Sequence, residues 1–301
     1  MRLLTRSDFD GLACAVLLKE VNAIDSYKFI RIRDLRNGAV EVGANDILAN
    51  VPYMDGCGMW FDHHASEYGQ LPNISYKGLV QDIDSAAHAI YNFYKGHGRD
   101  LSKYDEMLEA VDKVDSAKLS ADDISRPRGW ILLGFLLDPL TGLGRYRDFH
   151  ISGDELMGML TDACSSKNIA QILAIPDVAQ RIDVYHKQNA LFMDMLKNYT
   201  ETQGNVIITD LRGKSPVYSG NRFLLYNLHP GQNISIWAVD ANDGQGCEIS
   251  VGYSIINKSN ANDVGSVMSK YGGGGRRRTG ACVVPFDDAD RVISELKDIL
   301  Q

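Results

Sequence analysis

The sequence predicts an α/β protein: a parallel-sheet, Rossmann-like N-terminal domain, a helical connecting region and a smaller α/β C-terminal domain. Three observations carry that expectation. Over the first ~120 residues, short apolar runs alternate with helical patterns, as βαβ units do. From about residue 128 to about 200 the pattern is mainly helical. After Gly204 the chain becomes rich in β-branched, alternating runs.

Taken in order, "RLLT" reads as a strand and "GLACAVLLKEV" as the helix that follows it. "YKFIRI", "DILANV" and "GMWF" read as further strands, "SAAHAIYNFYK" as an amphipathic helix, and "YDEMLEAVDKVDSA" as another. "GWILLGFLLDPL" is apolar throughout and too short to span a bilayer, so it reads as a buried helix or strand. "DVAQRIDVYHKQNALFMDMLKNY" is long enough to be a connecting helix. Beyond it, "NVIITDL", "NISIWAV" and "CEISVGYSII" read as strands, followed by a short helix stopped by glycine, a last strand "ACVV" and a terminal helix with an acidic start. The expected domains are 1–190, including the helical extension and connecting helix, and 201–301.

Composition narrows the function. The chain has 301 residues, 45% apolar and 23% charged, with a net charge of -8. An acidic surface argues against duplex DNA as a partner but leaves room for a local basic pocket. No apolar run is long enough for a membrane span, and the N-terminus lacks a signal-peptide pattern. Five scattered cysteines without a CxxC pair suggest neither a disulfide framework nor a thiolate zinc site, so a cytoplasmic location is expected.

The chemistry gathers at predicted strand ends. Asp8 and Asp10 follow the first strand at i and i+2, so on an extended chain both carboxylates point to one side, and Gly11 allows a tight turn into a helix. In parallel α/β sheets ligands sit beyond the carboxyl ends of strands. Asp62, His63 and His64 end another strand, and oxygen with imidazole suits Mn²⁺, Mg²⁺, Fe²⁺ or Zn²⁺ better than Ca²⁺. Asp112 and Asp115 lie three apart on a predicted helix and share a face. Singly, each has a plain structural reading: a solvated turn for Asp8 and Asp10, and an exposed polar loop for Asp62 to His64. Asp112 and Asp115 by themselves are more often a solvated helix face than a site. Together they provide the parts of a phosphoryl-transfer site, in which two cations about 3.5 to 4 Å apart can neutralise a phosphate and activate water.

At these residues the chain resembles a known family. "TRSDFDG", "FDHHASE", "DSAAHAIYNFY" and "AVDKVDSA" are similar, in order and spacing, to the motifs of the DHH phosphoesterase superfamily, which includes RecJ-type exonucleases and manganese-dependent pyrophosphatases. "GNRFLLYNLHPGQNISI", "SVGYSIINKS" and "YGGGGRRRTGACVVP" resemble its associated C-terminal substrate-binding domain, and the branch most similar is the exopolyphosphatase-related one. The resemblance implies metal-ligand roles for Asp8, Asp10, His63 and one or both of Asp112 and Asp115. It implies that Asp62 supports the site and that His64 lies near the scissile phosphate, where an imidazole could assist the leaving group. The cofactor implied is Mn²⁺, with Mg²⁺ or another divalent cation as the alternative. A homodimer is compatible with this reading.

Departures from the family pattern are equally specific. Leu4 and Arg6 stand where many members have a histidine, Asn50 where a metal-bridging Asp is usual, Tyr253 where a His is common, and Arg276 where a His usually follows the glycines. In "GGGGRRRTG", Gly273, Gly274 and Gly275 would let backbone approach a phosphate, with Arg276 and Arg277 adding charge-assisted contacts; Arg222 is a second candidate. The expected function is a divalent-metal-dependent phosphoesterase acting on a terminal phosphoester or phosphoanhydride bond. Its substrate would be rich in phosphate: a short oligonucleotide, a nucleotide or polyphosphate. The departures motivate an alternative, a non-catalytic nucleotide- or phosphate-binding relative with a degenerate metal site.

Overall fold

A computed structural model describes residues 1–64, 76–241, 244 and 246–301. Ala65, Ser66 and Glu67 of the FDHHASE motif lie outside the described residues. The chain forms two compact units: Met1–Leu119 with Pro127–Val184, and Ser120–Arg126 with Tyr185–Gln301.

The first unit opens with β1 (Arg2–Arg6), α1 (Phe9–Glu20), β2 (Ser26–Ile30) and α2 (Ile32–Arg36). The expected strand "YKFIRI" therefore ends at Ile30; Arg31 is the N-cap of the next helix and Ile32 opens it. Next come β3 (Asp46–Ala49), β4 (Met59–Asp62), the three-residue β5 (Gly78–Val80), α3 (Ala86–Gly96) and α4 (Asp105–Asp115). α5 (Ala121–Ser125) belongs to the second unit. The apolar "GWILLGFLL" resolves as a helix, α6 (Gly129–Leu137), followed by α7 (Gly153–Ser166), α8 (Ile169–Leu173) and the long α9 (Pro176–Tyr199). The division between units falls within α9.

The five strands form one parallel sheet in the order β2-β1-β3-β4-β5. β1 and α1 are buried nearly throughout: residues 3–5 of the strand and Phe9–Leu18 of the helix are all covered. A continuous apolar run rather than alternation is what a strand covered on both faces requires. Leu4, Ile30, Leu48, Trp60 and Val80, one from each strand or its end, share a core cluster. The Trp60 indole N–H donates to the Val51 carbonyl at 2.9 Å. Phe61 packs edge-on against Phe93 of α3, so the aromatic residues of that helix serve packing. The strand order reverses between β1 and β3, and in open α/β sheets the crevice at such a switch point receives the ligand.

The second unit has a six-stranded sheet in the order β10-β11-β9-β8-β7-β6, built from β6 (Thr200–Gln203), β7 (Val206–Asp210), β8 (Ile234–Asp240), β9 (Cys247–Tyr253), β10 (Gly274–Arg276) and β11 (Thr279–Val284). Its neighbours pair antiparallel except β7 with β8. α10 (Leu224–Leu228) and α11 (Val264–Ser269) precede the terminal α12 (Phe286–Ile299). α12 buries Ala289, Val292, Ile293 and Leu296, the i, i+3, i+4, i+7 stripe of an amphipathic helix, in a core with Ile236, Ile249 and Val251.

Candidate active site

The switch point places Asp8 and Asn50 opposite one another, just past β1 and β3. Asp8 is the N-cap of α1, and one of its oxygens, Oδ1, accepts from the Gly11 N–H at 2.9 Å and from the Asn50 side-chain amide at 3.1 Å. Its other oxygen lies 3.0 Å from Arg6 Nε. Asn50 is buried with φ of 55°, a left-handed conformation that Asn tolerates better than most residues.

Asp10 is the second residue of α1, in its first turn, and is 2% exposed. The first N–H groups of α3 hold it: Ala86 donates to Oδ2 at 3.0 Å and Ala87 to Oδ1 at 2.8 Å. A helix N-terminus is a natural cradle for an anion. Burial, and then the neighbouring Asp8 charge, nevertheless push the Asp10 carboxyl up to about 7, outweighing the two backbone donors. Asp8 is raised too, chiefly by burial, against the pull of Arg6.

His63 brings a nitrogen from the end of β4. Its Nε2 lies 3.2 Å from Asp115 Oδ2 and 4.0 Å from Asp10 Oδ2. One ligand-type atom each from Asp10, His63 and Asp115 lies within 4.8 Å of the others. Asp62, His63 and His64 form a second such group, but Asp62 already accepts from both His backbones, and its Oδ1 lies 2.8 Å from His64 Nδ1. Burial opposes charge on Asp62, yet the His64 hydrogen bond and the two imidazoles prevail and hold its carboxyl below the usual range. Asp62 thus orients the DHH turn and fixes which edge of His64 faces outward.

Asp112 and Asp115 share a face of α4 but part company. Asp112 accepts from Ser85 Oγ at 2.6 Å and lies 2.7 Å from His88 Nδ1, which ties α4 to the start of α3. The hydrogen bond to Asp112 raises His88 above an ordinary imidazole, against burial. Asp115 alone of the two reaches the His63 group. Asp112→Ala should therefore cost about 1–3 kcal/mol of stability by leaving Ser85 and His88 without their acceptor, with Mn²⁺ affinity little changed. Asp115→Ala should do the reverse; urea unfolding and Mn²⁺ calorimetry on both variants check the split.

The donor set of Asp10, His63 and Asp115 fits a hard or borderline divalent cation. A cation would also offset both causes that drive Asp10 upward, its burial first and then the neighbouring Asp8 charge. Binding must displace the Asp10 proton, so Mn²⁺ affinity should fall about tenfold per pH unit below about 7 and level off above it. The sign for metal-free stability is opposite: the folded value lies above the ordinary 3.8, so that contribution is present at low pH and is lost as pH rises through about 7. Calorimetric titration with Mn²⁺ across that range tests the first statement, and a pH-independent affinity contradicts it.

The other predicted site residues lie in the second unit. The glycine run is not an open loop: Gly274–Arg276 form an edge strand, with Arg277 and Arg278 at the hairpin tip. Its glycines permit close packing. A Cβ on Gly273 would fall 2.1 Å from the Ala281 carbonyl oxygen, and one on Gly275, whose φ is +157°, 2.3 Å from that of Thr279. Arg276 and Arg277 are exposed. Arg222 lies over the Phe223 ring at 4.4 Å, in the turn that leads to α10. Tyr253, at the position where the family commonly has His, donates its hydroxyl to the Asn262 carbonyl. Sequence reading missed two contributors to the site, Ser85 and His88, whose roles depend on α3 meeting α4. Arg6 and Asn50 were visible only as departures.

Comparison with solved structures finds a pGpG-specific phosphodiesterase, PggH from Vibrio cholerae, with 38% identity, 99% of this chain and 98% of that chain covered, and a TM-score of 0.87. RecJ from Thermus thermophilus, in complex with Mn²⁺, matches with a TM-score of 0.56 at 12% identity, over 99% of this chain and 52% of that one. The chain belongs to the DHH phosphoesterase superfamily. CDC45 from Entamoeba histolytica shares the DHH fold at 10% identity and a TM-score of 0.50, with 99% of this chain and 94% of that one covered. No family model and no curated protein sequence matches the chain. Among the described residues, no helix of this DHH protein is long and apolar enough to cross a membrane.

Proposed function

We propose that the chain is a divalent-metal-dependent phosphodiesterase that hydrolyses a short phosphorylated nucleotide of the pGpG class. The convergence of Asp10, His63 and Asp115 from three separate elements carries the metal-dependent part of this reading. The 38% identity to a pGpG-specific enzyme over nearly the whole chain supports the substrate class, and favours it over the polyphosphate suggested by the exopolyphosphatase-related branch.

In this reading Asp10, His63 and Asp115 hold the cation, Mn²⁺ or Mg²⁺. When bound, it would lower the pKa of a coordinated water and neutralise phosphate charge. The side chains do the rest. Asp62 accepts a hydrogen bond from His64 Nδ1–H, so that in the protonated imidazole Nε2–H is the edge that can give its proton to the departing oxygen. The α3 N-terminus keeps Asp10 in place through two N–H donors, so the site is assembled before substrate arrives. Arg222, Arg276 and Arg277 supply fixed positive charge for the substrate's phosphates, with Gly273, Gly274 and Gly275 shaping the strand that presents the last two.

The test is a substrate panel with Mn²⁺ or Mg²⁺: pGpG, a longer oligoribonucleotide, a cyclic dinucleotide and polyphosphate. Release of GMP from pGpG at a kcat/KM at least about tenfold above the others is expected. Tight binding without multiple turnover in excess metal would instead favour a nucleotide-binding relative. Arg276→Ala with Arg277→Ala should raise KM for pGpG about tenfold, ~1.4 kcal/mol, at nearly constant kcat if these groups bind ground and transition states equally.

A further inference from the structure

The site's departures from its family converge on one carboxylate. Asp8 Oδ1 is occupied by the Gly11 N–H and the Asn50 amide, and Asp8 Oδ2 lies 3.0 Å from Arg6 Nε. Both oxygens therefore already face hydrogen-bond donors supplied by the protein. Asp8 is also missing from the group of ligand atoms that Asp10, His63 and Asp115 bring together.

Resting on the metal-hydrolase reading above, we propose that this site takes one divalent cation, at Asp10, His63 and Asp115, and that the Arg6 guanidinium, held against Asp8 beside the Asn50 amide, fills the electrostatic role of a second cation.

Charge and chemistry agree on this point. A second ion bridging toward Asp8 would need Oδ2, the oxygen that Arg6 faces, and would have to approach a fixed positive charge. Arg6 is also within the field of Asp115, Asp10 and Asp138, so its charge serves the whole acidic cluster and not one partner. Asn50 acts in the same direction. Its side chain donates to Asp8, whereas an Asp at this position would add a negative charge and a competing lone pair. Compared with a site bearing a neutral residue at 6 and Asp at 50, this one is less negative by two charge units, the charge of one divalent ion. A guanidinium is always protonated and is tethered to the chain, so it gives neither to chelator nor to pH. It can offset phosphate charge, but it cannot activate water; that task stays with the single ion.

The experiment counts Mn²⁺ on the purified full chain by elemental analysis and calorimetry, with EPR to distinguish an isolated Mn²⁺ from an exchange-coupled pair. One equivalent per chain and a mononuclear spectrum are expected. Two equivalents with a coupled spectrum would overturn the inference while leaving the hydrolase reading intact; none would overturn both. Arg6→Gln combined with Asn50→Asp should recruit a second equivalent, and Arg6→Lys, which keeps the charge, should not. A folded double variant that still binds a single Mn²⁺ would refute the role given to Arg6 and Asn50. Hydrolysis of pGpG by the same wild-type sample reports on the functional reading separately: one bound Mn²⁺ without turnover would sink that reading and leave the ion count standing.

Discussion

His63→Ala is expected to lower Mn²⁺-dependent hydrolysis by about a thousandfold or more, on the order of 4 kcal/mol of transition-state stabilisation, while the protein stays folded. His63 supplies the nitrogen of the Asp10, His63, Asp115 group, and its Nε2 lies 3.2 Å from Asp115 Oδ2. Alanine leaves two carboxylates facing one another with no neutral donor between them, so the site should lose cation affinity along with rate. The fold has less at stake. His63 follows β4, and its backbone N–H donates to Asp62, a contact alanine keeps. His64→Ala should be milder, about a hundredfold, because it removes a proton carrier and no member of that group. Steady-state kinetics with pGpG, Mn²⁺ calorimetry and thermal melting decide the matter: a folded His63→Ala retaining a tenth of wild-type activity would remove the mechanism.

How much of this was legible in the sequence depends on where the information lies. Period and apolarity were sufficient for β1, β3, β4 and α1, because strands and a helix covered on nearly all sides carry largely unbroken apolar runs. The short β5 and the polar edge strand β6, "TETQ", carry no such pattern; three or four residues are too few to show a period. The strand ends were readable too, since an α/β sheet gathers its ligands there, and Asp8, Asp10, Asp62 and His63 all lie beside the switch-point edge or the next strand.

What stayed hidden was set by contacts between elements. Asp112 and Asp115 are equivalent by spacing; Ser85 and His88, more than 20 residues away, claim one and leave the other to His63. By sequence Arg6 is one of two positions, with Leu4, where a histidine is missing; only the fold puts its guanidinium on Asp8. The four glycines suggested a phosphate loop by composition. For two of them, Gly273 and Gly275, close approach to the Ala281 and Thr279 carbonyls gives packing against β11 as a reason of its own; Gly272 and Gly274 have no such neighbour. Glycine content reports where backbone comes close, not what it comes close to.

Gly11 makes that distinction testable, because two principles give opposite signs there. By helix propensity, Gly11→Ala inside α1 should stabilise by about 1 kcal/mol. By sterics it should be severe: an added Cβ would lie 1.9 Å from the Arg6 carbonyl oxygen and 3.0 Å from Thr5 Oγ1. That carbonyl belongs to β1, which is paired with β2 on one side and β3 on the other, so it has little room to retreat. The Gly11 N–H also donates to Asp8, so the helix start cannot shift without releasing the N-cap. Sterics should win, with a loss of about 3 kcal/mol or more. Mn²⁺ binding should fall with it, since Asp8 and Asp10 ride on the same turn. Urea unfolding and Mn²⁺ titration measure the two effects together. An alanine variant as stable as wild type, with its ion affinity intact, would mean that the β1–α1 turn yields easily, and the rigid placement of the acidic pair on which the site depends would go with it.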